Sequence, residues 1–384
     1  MKHYMDDTQR PDVPMHMDMP GKSNTSGFYL EGTKSIGQRQ SLTLRADASL
    51  TRLVASMTMY QEGQSPMYML TWPDNRQVQT GVAAQYVLQL DSLTQLQFSA
   101  RADYSDFGLT TGMGKDQLAV FGYSGANAQF FIPSVSAQVS RKLHRNLKAT
   151  ASLGFNGRTP TASELYGFYL FNQFDMHDYI GNPGLQQETA QQAELSLTWR
   201  KPKWKVQAAG YVSRAGNYIM GVYDPSLSVM TTGARGVKRY QNLDYAILTG
   251  AEGSVMYQPF PKTQVVSVLK YAYARNKEGD PLPMIAPLRN ITTIRQHIGK
   301  LWLQGEMETA AAQRNVSKAA NERETGDFQL FHFRLGYNGR FNNIPWQLNG
   351  GVENIFDAYY REHLDWGNVA RQGRNCFLQF GISF

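Results

Sequence analysis

Segments in which polar and apolar residues alternate recur along the whole chain, and this pattern restricts the possible folds more than any other feature. The clearest segments are residues 42–51, 82–91, 96–104, 147–156, 193–199 and 376–384. A period of two places the side chains of a strand on two opposite faces. Segments of roughly ten residues are long enough for a tilted strand to cross a bilayer, whereas strands in soluble sheets are usually shorter. The pattern therefore predicts an all-β protein.

The polar faces of these segments carry full charges, which favours a water-filled barrel over a packed core. Among them are Arg45, Asp47, Arg101, Asp103 and Glu194. A packed interior does not tolerate such charges, but a wet lumen does. No run of about 18 apolar residues occurs, so helical membrane spans are excluded. We therefore predict a transmembrane antiparallel β-barrel whose apolar faces meet lipid.

The lengths of the connections between segments alternate, as they do in outer-membrane barrels. Short turns are predicted at residues 91–93, 144–146, 201–203 and 260–262. Long loops are predicted at residues 61–77, 110–130, 168–187, 224–238, 276–287 and 312–327. The segments indicate roughly 14–16 strands, a number that fits either a complete porin or part of a larger barrel.

The formal charge of +7 is spread along the chain and is not gathered on one face. Proteins that bind nucleic acid concentrate their lysines and arginines, so we expect no nucleic-acid partner. The single cysteine, Cys376, excludes an intrachain disulfide and a multi-cysteine zinc site. It lies on the apolar side of the last segment, where a small buried or lipid-facing side chain is the simplest interpretation.

Three ordered motifs connect the chain to a known family. They are RTPTASELY at residues 158–166, GNPGLQQE at 181–188 and GVENIFDAYY at 351–360, followed by an alternating segment that ends on Phe384. Together they resemble the C-terminal barrel half of TonB-dependent outer-membrane receptors. The resemblance implies a 22-stranded barrel filled by an N-terminal plug, of which residues 1–384 are the later part of the barrel without the plug. A passive porin is the alternative architecture.

Within that family the chain is most similar to the copper receptors of Gram-negative outer membranes. The matching residues are HYMDD at 3–7, MHMDMP at 15–20, YREHLDWGN at 360–368 and GRN at 373–375. The resemblance implies that a His-x-Met pair on the barrel wall, here His3 and Met5, binds copper near the outer face. It also implies a Cys and a Met ligand from the plug, which this sequence does not contain. The plug is the part that the TonB energy-coupling protein acts on.

A second group of copper-type ligands is Met15, His16, Met17 and Met19, which we place in an outer loop. Thioether and imidazole groups suit copper, and thioether favours Cu(I). The competing interpretation is that methionine fills irregular apolar space, since the chain has 16 methionines. No resident cofactor is required, and copper enters only as a transported ligand. The other metal-bearing candidate is a ferric siderophore or similar chelate, bound by the aromatic loop 168–179.

The remaining polar groups favour structural roles over catalysis. Glu164, Glu188 and Glu194 are expected to pair with Arg158 or Arg200 on the lumen side. His363 is expected in an ordered surface turn. No Ser-His-Asp spacing and no Gly-rich phosphate loop is present. We therefore expect a transporter and not an enzyme.

Overall fold

The computed structural model describes residues 2–3, 15–61, 63, 65–123, 125, 127–342, 344–365 and 367–383, with the backbone alone for residues 2, 3, 15 and 61. These residues form nineteen strands and two helices. The four shortest strands are β1 (Lys2–His3), β2 (Met15–Asp18), β9 (Leu170–Asn172) and β10 (His177–Ile180). The helices are α1 (Gly112–Ala119) and α2 (Ala162–Tyr166). Neither helix is long and apolar enough to cross a membrane.

The other fifteen strands have eight or more residues each. They are β3 (Gly21–Ile36), β4 (Gln40–Gln61), β5 (Met67–Gln89), β6 (Thr94–Leu109), β7 (Ala128–His144), β8 (Leu147–Arg158), β11 (Glu188–Lys201), β12 (Trp204–Tyr223), β13 (Val237–Phe260), β14 (Thr263–Asn276), β15 (Arg289–Ile298), β16 (Leu301–Ala310), β17 (Phe328–Phe341), β18 (Ile344–Glu353) and β19 (Asn375–Ile382). The all-β antiparallel architecture predicted from the alternation is confirmed.

Each long strand pairs with the next long strand along the chain, which makes one antiparallel meander. Strand β8 pairs directly with β11, because β9 and β10 lie within the loop that separates them. Strand β10 instead lies parallel to β13. Among the described residues no pairing joins β19 back to β1, β2 or β3, so this stretch of wall is open.

The apolar rows lie on an uncovered outer face, as the alternation predicts. Leu153 is 67% exposed and Leu378 is 78% exposed, although both sit in the middle of long strands. Other exposed members of these rows are Leu44, Val82, Phe98, Leu195 and Phe380. Cys376 is exposed as well. A soluble protein would bury rows of this size, so the face is suited to lipid.

The opposite face carries the predicted charges, and four of them, Arg45, Asp47, Arg101 and Asp103, take part in ion pairs. Both terminal nitrogens of Arg101 donate to the Asp47 carboxylate at 2.9 Å, and its Nε donates to Asp103 at 2.8 Å. On β17, Arg334 donates to Glu306 and Glu353, both at 3.0 Å. Salt bridges across neighbouring strands therefore hold the polar face together.

The two ends of the sheet differ as expected, with two corrections. The four predicted short turns all fall between paired strands. The predicted loop 61–77 is wrong, because residues 67–77 belong to β5 and only residues 62–66 separate it from β4. The run 15–18 is also not a loop but strand β2, which pairs with β4. Both strands pair with the last residues of β4, near Met59, where that strand extends toward the loop end.

The buried core lies at the loop end of the sheet, where helices and loops cover the strands. Leu118 of α1 and Leu165 and Tyr166 of α2 pack there against Phe107 and Ile219. Helix α2 begins with a capping box, in which Thr161 and Glu164 each accept a hydrogen bond from the other's backbone N–H. This covered end is where buried functional groups can be held in place.

Candidate metal-binding site

Six methionines from separate parts of the chain come together at the loop end; we call them the methionine cluster. They are Met17, Met19, Met57, Met59, Met69 and Met230. Strand register explains most of the grouping, since Met57 pairs with Met69 and Met59 pairs with Met17. Directly paired residues point to the same face of a sheet. Methionines of three strands, of the connection between β2 and β3 and of one loop therefore pack in a single apolar cluster.

The methionine cluster has a buried centre, and one further methionine outside it, Met67, is exposed beside it. Met67 pairs with Met59 and is 46% exposed, whereas Met57 is only 2% exposed. Thioether sulfur is a soft ligand that suits Cu(I). Among the described residues, no group of three or more His, Cys, Asp or Glu side chains could hold a metal ion. The arrangement is chemically suited to a soft monovalent cation, although methionine also packs well as an apolar side chain.

The structure divides the predicted group Met15, His16, Met17 and Met19. Met17 and Met19 join the methionine cluster. His16 pairs with Tyr60 on β4 and lies on the opposite face, because consecutive strand residues point in opposite directions. Met15 pairs with Gln61 through the backbone. The imidazole and the thioethers of this run therefore do not share one site.

The other predicted pair, His3 and Met5, is described only in part. The backbone of His3 pairs with Gly21, two residues after Met19. Met5 lies outside the described residues. The strand β1 thus runs beside the segment that carries Met17 and Met19, at the same end of the sheet.

Three aromatic rings pack against the methionine cluster. The rings of Phe121 and Phe168 are 5.6 Å apart, and those of Phe168 and Tyr169 are 5.1 Å apart. Phe168 is buried, and its backbone N–H donates to the carbonyl of Thr71 on β5. Burial raises the pKa of Tyr169, and the nearby charge of Asp178 raises it further. The rings shield the thioethers from water.

The loops above the sheet are fastened by a buried ion pair. Lys238 Nζ donates to Asp175 Oδ2 at 2.6 Å and to the carbonyl of Ala319 at 2.8 Å. Tyr179 donates its hydroxyl to the same Asp175 oxygen. Burial, with the adjacent charge of Asp175, raises the pKa of Tyr179. One lysine therefore connects β13 to the loops 167–187 and 311–327.

The structure corrects the expectation for His363. Its ring is buried, and Nε2 lies 3.0 Å from Glu322 Oε1 while Nδ1 lies 3.1 Å from Thr325 Oγ1. Burial by itself would raise the pKa of Glu322, but hydrogen bonds from His363 and from the backbone N–H groups of Ser317 and Met284 hold it below its usual value. The expected turn is present, since the Asp365 N–H donates to the Glu362 carbonyl at 3.1 Å, but the His363 ring is buried against the loop 311–327 and does not lie on the surface.

The expected pairing of Arg158 is confirmed. Its Nε donates to Glu188 and its Nη1 donates to Glu164, both at 2.8 Å. These three residues belong to the first two sequence motifs, so the motifs form one structural clamp at the ends of β8 and β11. Glu194 makes no ion pair with Arg200 within the described part of the chain.

Sequence reasoning missed Met57, Met59, Met69 and Met230. A signal for the first three was present, because Met57 and Met59, like Met67 and Met69, are spaced by two in strand-like segments. Met230 lies in a loop far away in sequence and gave no local signal.

Comparison with known proteins adds a family and several related folds. The family model for the β-barrel of TonB-dependent receptor-like proteins matches residues 6–355. The fold is similar to that of the copper transporter OprC, with a TM-score of 0.79 and 19% identity over 99% of this chain and 60% of that one.

Two iron-uptake proteins show the same fold. The FrpB iron transporter of Neisseria meningitidis (F5-1 variant) has a TM-score of 0.67 and 13% identity, over 98% of this chain and 58% of that one. The ferric-catecholate import receptor Fiu of E. coli K12 has a TM-score of 0.62 and 14% identity, over 94% and 55%. The chain thus spans 60% or less of the length of each of these three proteins.

Proposed function

The chain belongs to the family of TonB-dependent receptors, and on that basis we propose that residues 1–384 form the C-terminal part of the barrel of a copper importer. Members of this family are outer-membrane β-barrel proteins for metal or siderophore uptake. The observation that carries the choice of copper is the methionine cluster. Uptake requires no bond-making chemistry.

The exposure of the methionines supports capture of Cu(I) from outside. Met67 offers a thioether to solvent, and its register partner Met59 belongs to the buried cluster with Met57 and Met69. Because these ligands are all thioethers, an ion can move between binding positions of similar affinity. The similarity of the fold to the copper transporter OprC agrees with this proposal.

The rest of the proposed transporter follows from the resemblance seen in the sequence. His3 and Met5 would bind copper on the wall, together with a Cys and a Met of a plug domain. The TonB protein would pull on the plug to release the ion inward. Lipid would surround the exposed rows of the outer face, and this membership argues against the passive porin.

A second candidate ligand is a metal chelate such as a ferric siderophore. The aromatic group of Phe121, Phe168 and Tyr169 favours it, since flat organic ligands stack on such rings. The similar folds of an iron transporter and a ferric-catecholate receptor make this the natural competitor. Burial of Phe168 beneath its neighbours favours copper instead, because a buried ring offers no open face.

The test is Cu(I) binding to the intact receptor in detergent, measured by competition with a chromogenic Cu(I) chelator. The variant Met57→Leu, Met59→Leu, Met69→Leu keeps volume and apolarity but removes three thioethers. We expect its Cu(I) dissociation constant to rise by at least about tenfold. Met256→Leu, on β13 and outside the methionine cluster, is the matched control and should bind as the wild type does.

The wall ligands are tested separately with His3→Ala combined with Met5→Ala. We expect weaker copper binding, and unchanged affinity would remove these two residues from the site. If the triple leucine variant binds Cu(I) normally and the wild type takes up a ferric siderophore, the copper proposal is wrong and the chelate is correct.

A further inference from the structure

Asp178 is a fully buried carboxyl group in which only one of the two oxygens is hydrogen-bonded. Its exposed fraction is 0%. Oδ2 accepts hydrogen bonds from the backbone N–H groups of Met230 at 2.8 Å and Thr231 at 3.0 Å. Oδ1 is buried and has no hydrogen-bond partner. Within the described residues, no lysine, arginine or histidine forms an ion pair with it.

The neighbouring carboxylate, Asp175, differs from Asp178 because a lysine neutralises it. Asp175 is equally buried, but it accepts a hydrogen bond from Lys238 at 2.6 Å and another from Tyr179 at 2.6 Å. A buried carboxylate without a cation is costly, and proteins rarely keep one without a function. Asp178 therefore has the properties of a buried carboxylate that binds a cation.

The position of Asp178 indicates where that charge would come from. Met230, whose backbone N–H it binds, places its side chain against the methionine cluster. Tyr169 packs against the same cluster, and the charge of Asp178 affects its pKa. The Asp178 carboxylate is thus connected to the methionine cluster through Met230, whose backbone it binds and whose side chain packs against the cluster.

We propose that Asp178 supplies the negative charge that neutralises a soft monovalent cation bound by the methionine cluster. Thioethers are uncharged, so a Cu(I) ion among them would leave a full positive charge in an apolar pocket. One buried carboxylate balances one such charge, which favours Cu(I) over a divalent ion. This inference rests on the proposed copper site and adds to it the residue that selects the charge of the ion.

The test is Asp178→Asn in the intact receptor, with Cu(I) and the redox-stable Ag(I) as probes. The amide oxygen can still accept the two backbone hydrogen bonds, so the variant removes charge and little else. We expect the dissociation constant for both ions to rise by at least about tenfold. Asp224→Asn is the matched control: this carboxylate lies at the start of the loop 224–236 that carries Met230, but Arg239 already neutralises it at 3.2 Å. It should bind as the wild type does.

Thermal unfolding distinguishes neutralisation of a bound cation by Asp178 from a purely structural role of this side chain. Without metal, Asp178→Asn should be as stable as the wild type or more so, because an unpaired buried charge has been removed. The rise in melting temperature on adding Ag(I) should shrink. A metal-free variant that unfolds at a lower temperature would show that Asp178 is structural, and the inference would be overturned.

A measurement on the unmodified receptor guards against a variant that does not fold. Infrared difference spectra should show a carboxylate band that shifts when Ag(I) is added, and an unchanged carboxylate region would contradict the inference. If the wild type binds neither ion, the copper proposal itself fails. If wild type and Asp178→Asn bind with equal affinity, the copper proposal stands and the role of Asp178 is rejected.

Discussion

Single residues fix the loops in this protein, and Glu322 is the clearest case. Its carboxylate accepts a hydrogen bond from the backbone of Met284 in one loop and of Ser317 in its own loop, and it lies against His363 from a third loop. Because all three partners stabilise the ionised form, the pKa of Glu322 lies below its usual value. The stability of this junction is thereby linked to pH.

The first prediction concerns that link. A carboxyl whose pKa is lowered by folding stabilises the folded state fully at pH values above its pKa in the unfolded chain. This stabilisation is lost as the pH falls through its pKa in the folded protein. Lowering the pH below the ordinary pKa of a glutamate, through the lower pKa of folded Glu322, should therefore speed amide hydrogen exchange at Ser317 and Met284. At neutral pH, Glu322→Gln should lower the free energy of local opening by about 1–3 kcal/mol.

The Glu322→Gln variant also serves as the control for the pH effect. It cannot ionise, so its exchange at Ser317 and Met284 should show no acid-induced step beyond the intrinsic pH dependence of exchange. An equal step in wild type and variant would assign the effect to another carboxyl.

Helix α1 shows how an element outside the sheet completes it. Strand β5 begins at Met67, but its pairing with β6 begins only at Asn75, so the first part of that edge lacks a neighbouring strand. Gln117 of α1 covers this edge: Nε2 donates to the carbonyl of Leu70 at 3.3 Å, and Oε1 accepts from its N–H at 3.2 Å. The side chain replaces one residue of a missing strand, next to Met69 of the methionine cluster.

The second prediction follows for Gln117→Ala. The change leaves the N–H and carbonyl of Leu70 without partners, which should cost about 1–3 kcal/mol in local opening at this edge. Hydrogen exchange at Leu70 measures it. Lys115→Ala, on the exposed side of the same helix, should leave the exchange rate of Leu70 within error. Equal exchange in both variants would show that Gln117 does not hold the edge.

At the scale of the whole molecule, the described sheet is a wall with two free edges. On one side it ends at β19, and on the other β1 covers only two residues of β3. An unpaired backbone group in the hydrocarbon region costs several kcal/mol, so a membrane sheet of this kind must close with further strands. The polar face, with paired charges such as Arg101 and Asp47, needs water or another domain beside it.

The third prediction is that the 384-residue chain by itself does not insert as a closed barrel. Unpaired strand edges promote aggregation, so refolding into lipid vesicles should give aggregate or loosely bound protein. The measurement is heat-modifiable migration on a gel, with the intact receptor as control. A heat-resistant band from this chain alone would contradict the prediction.

Features that depend on residues close together in the chain could be predicted from the sequence, and features that depend on distant residues could not. Rows such as Leu153 and Leu378 were predictable because a strand alternates its side chains within a few residues. The turns at residues 91–93 and 144–146 were predictable for the same reason. Residues 67–77 were not, because their strand is held by pairing with β4 and by Gln117, neither of which is local.

The candidate site shows the same division. Residues next to each other in a strand point to opposite faces. The separation of His16 from Met17 could therefore be predicted from the sequence once residues 15–18 are assigned to a strand. The packing of Met230 against the methionine cluster, the hydrogen bond from its backbone to Asp178 and the contact of His363 with Glu322 were not, since each joins segments far apart in the chain. Local periodicity by itself determined a wall with one apolar and one polar face. Only the tertiary structure decided which loop residues lie together, because register and loop packing are set by contacts between distant segments.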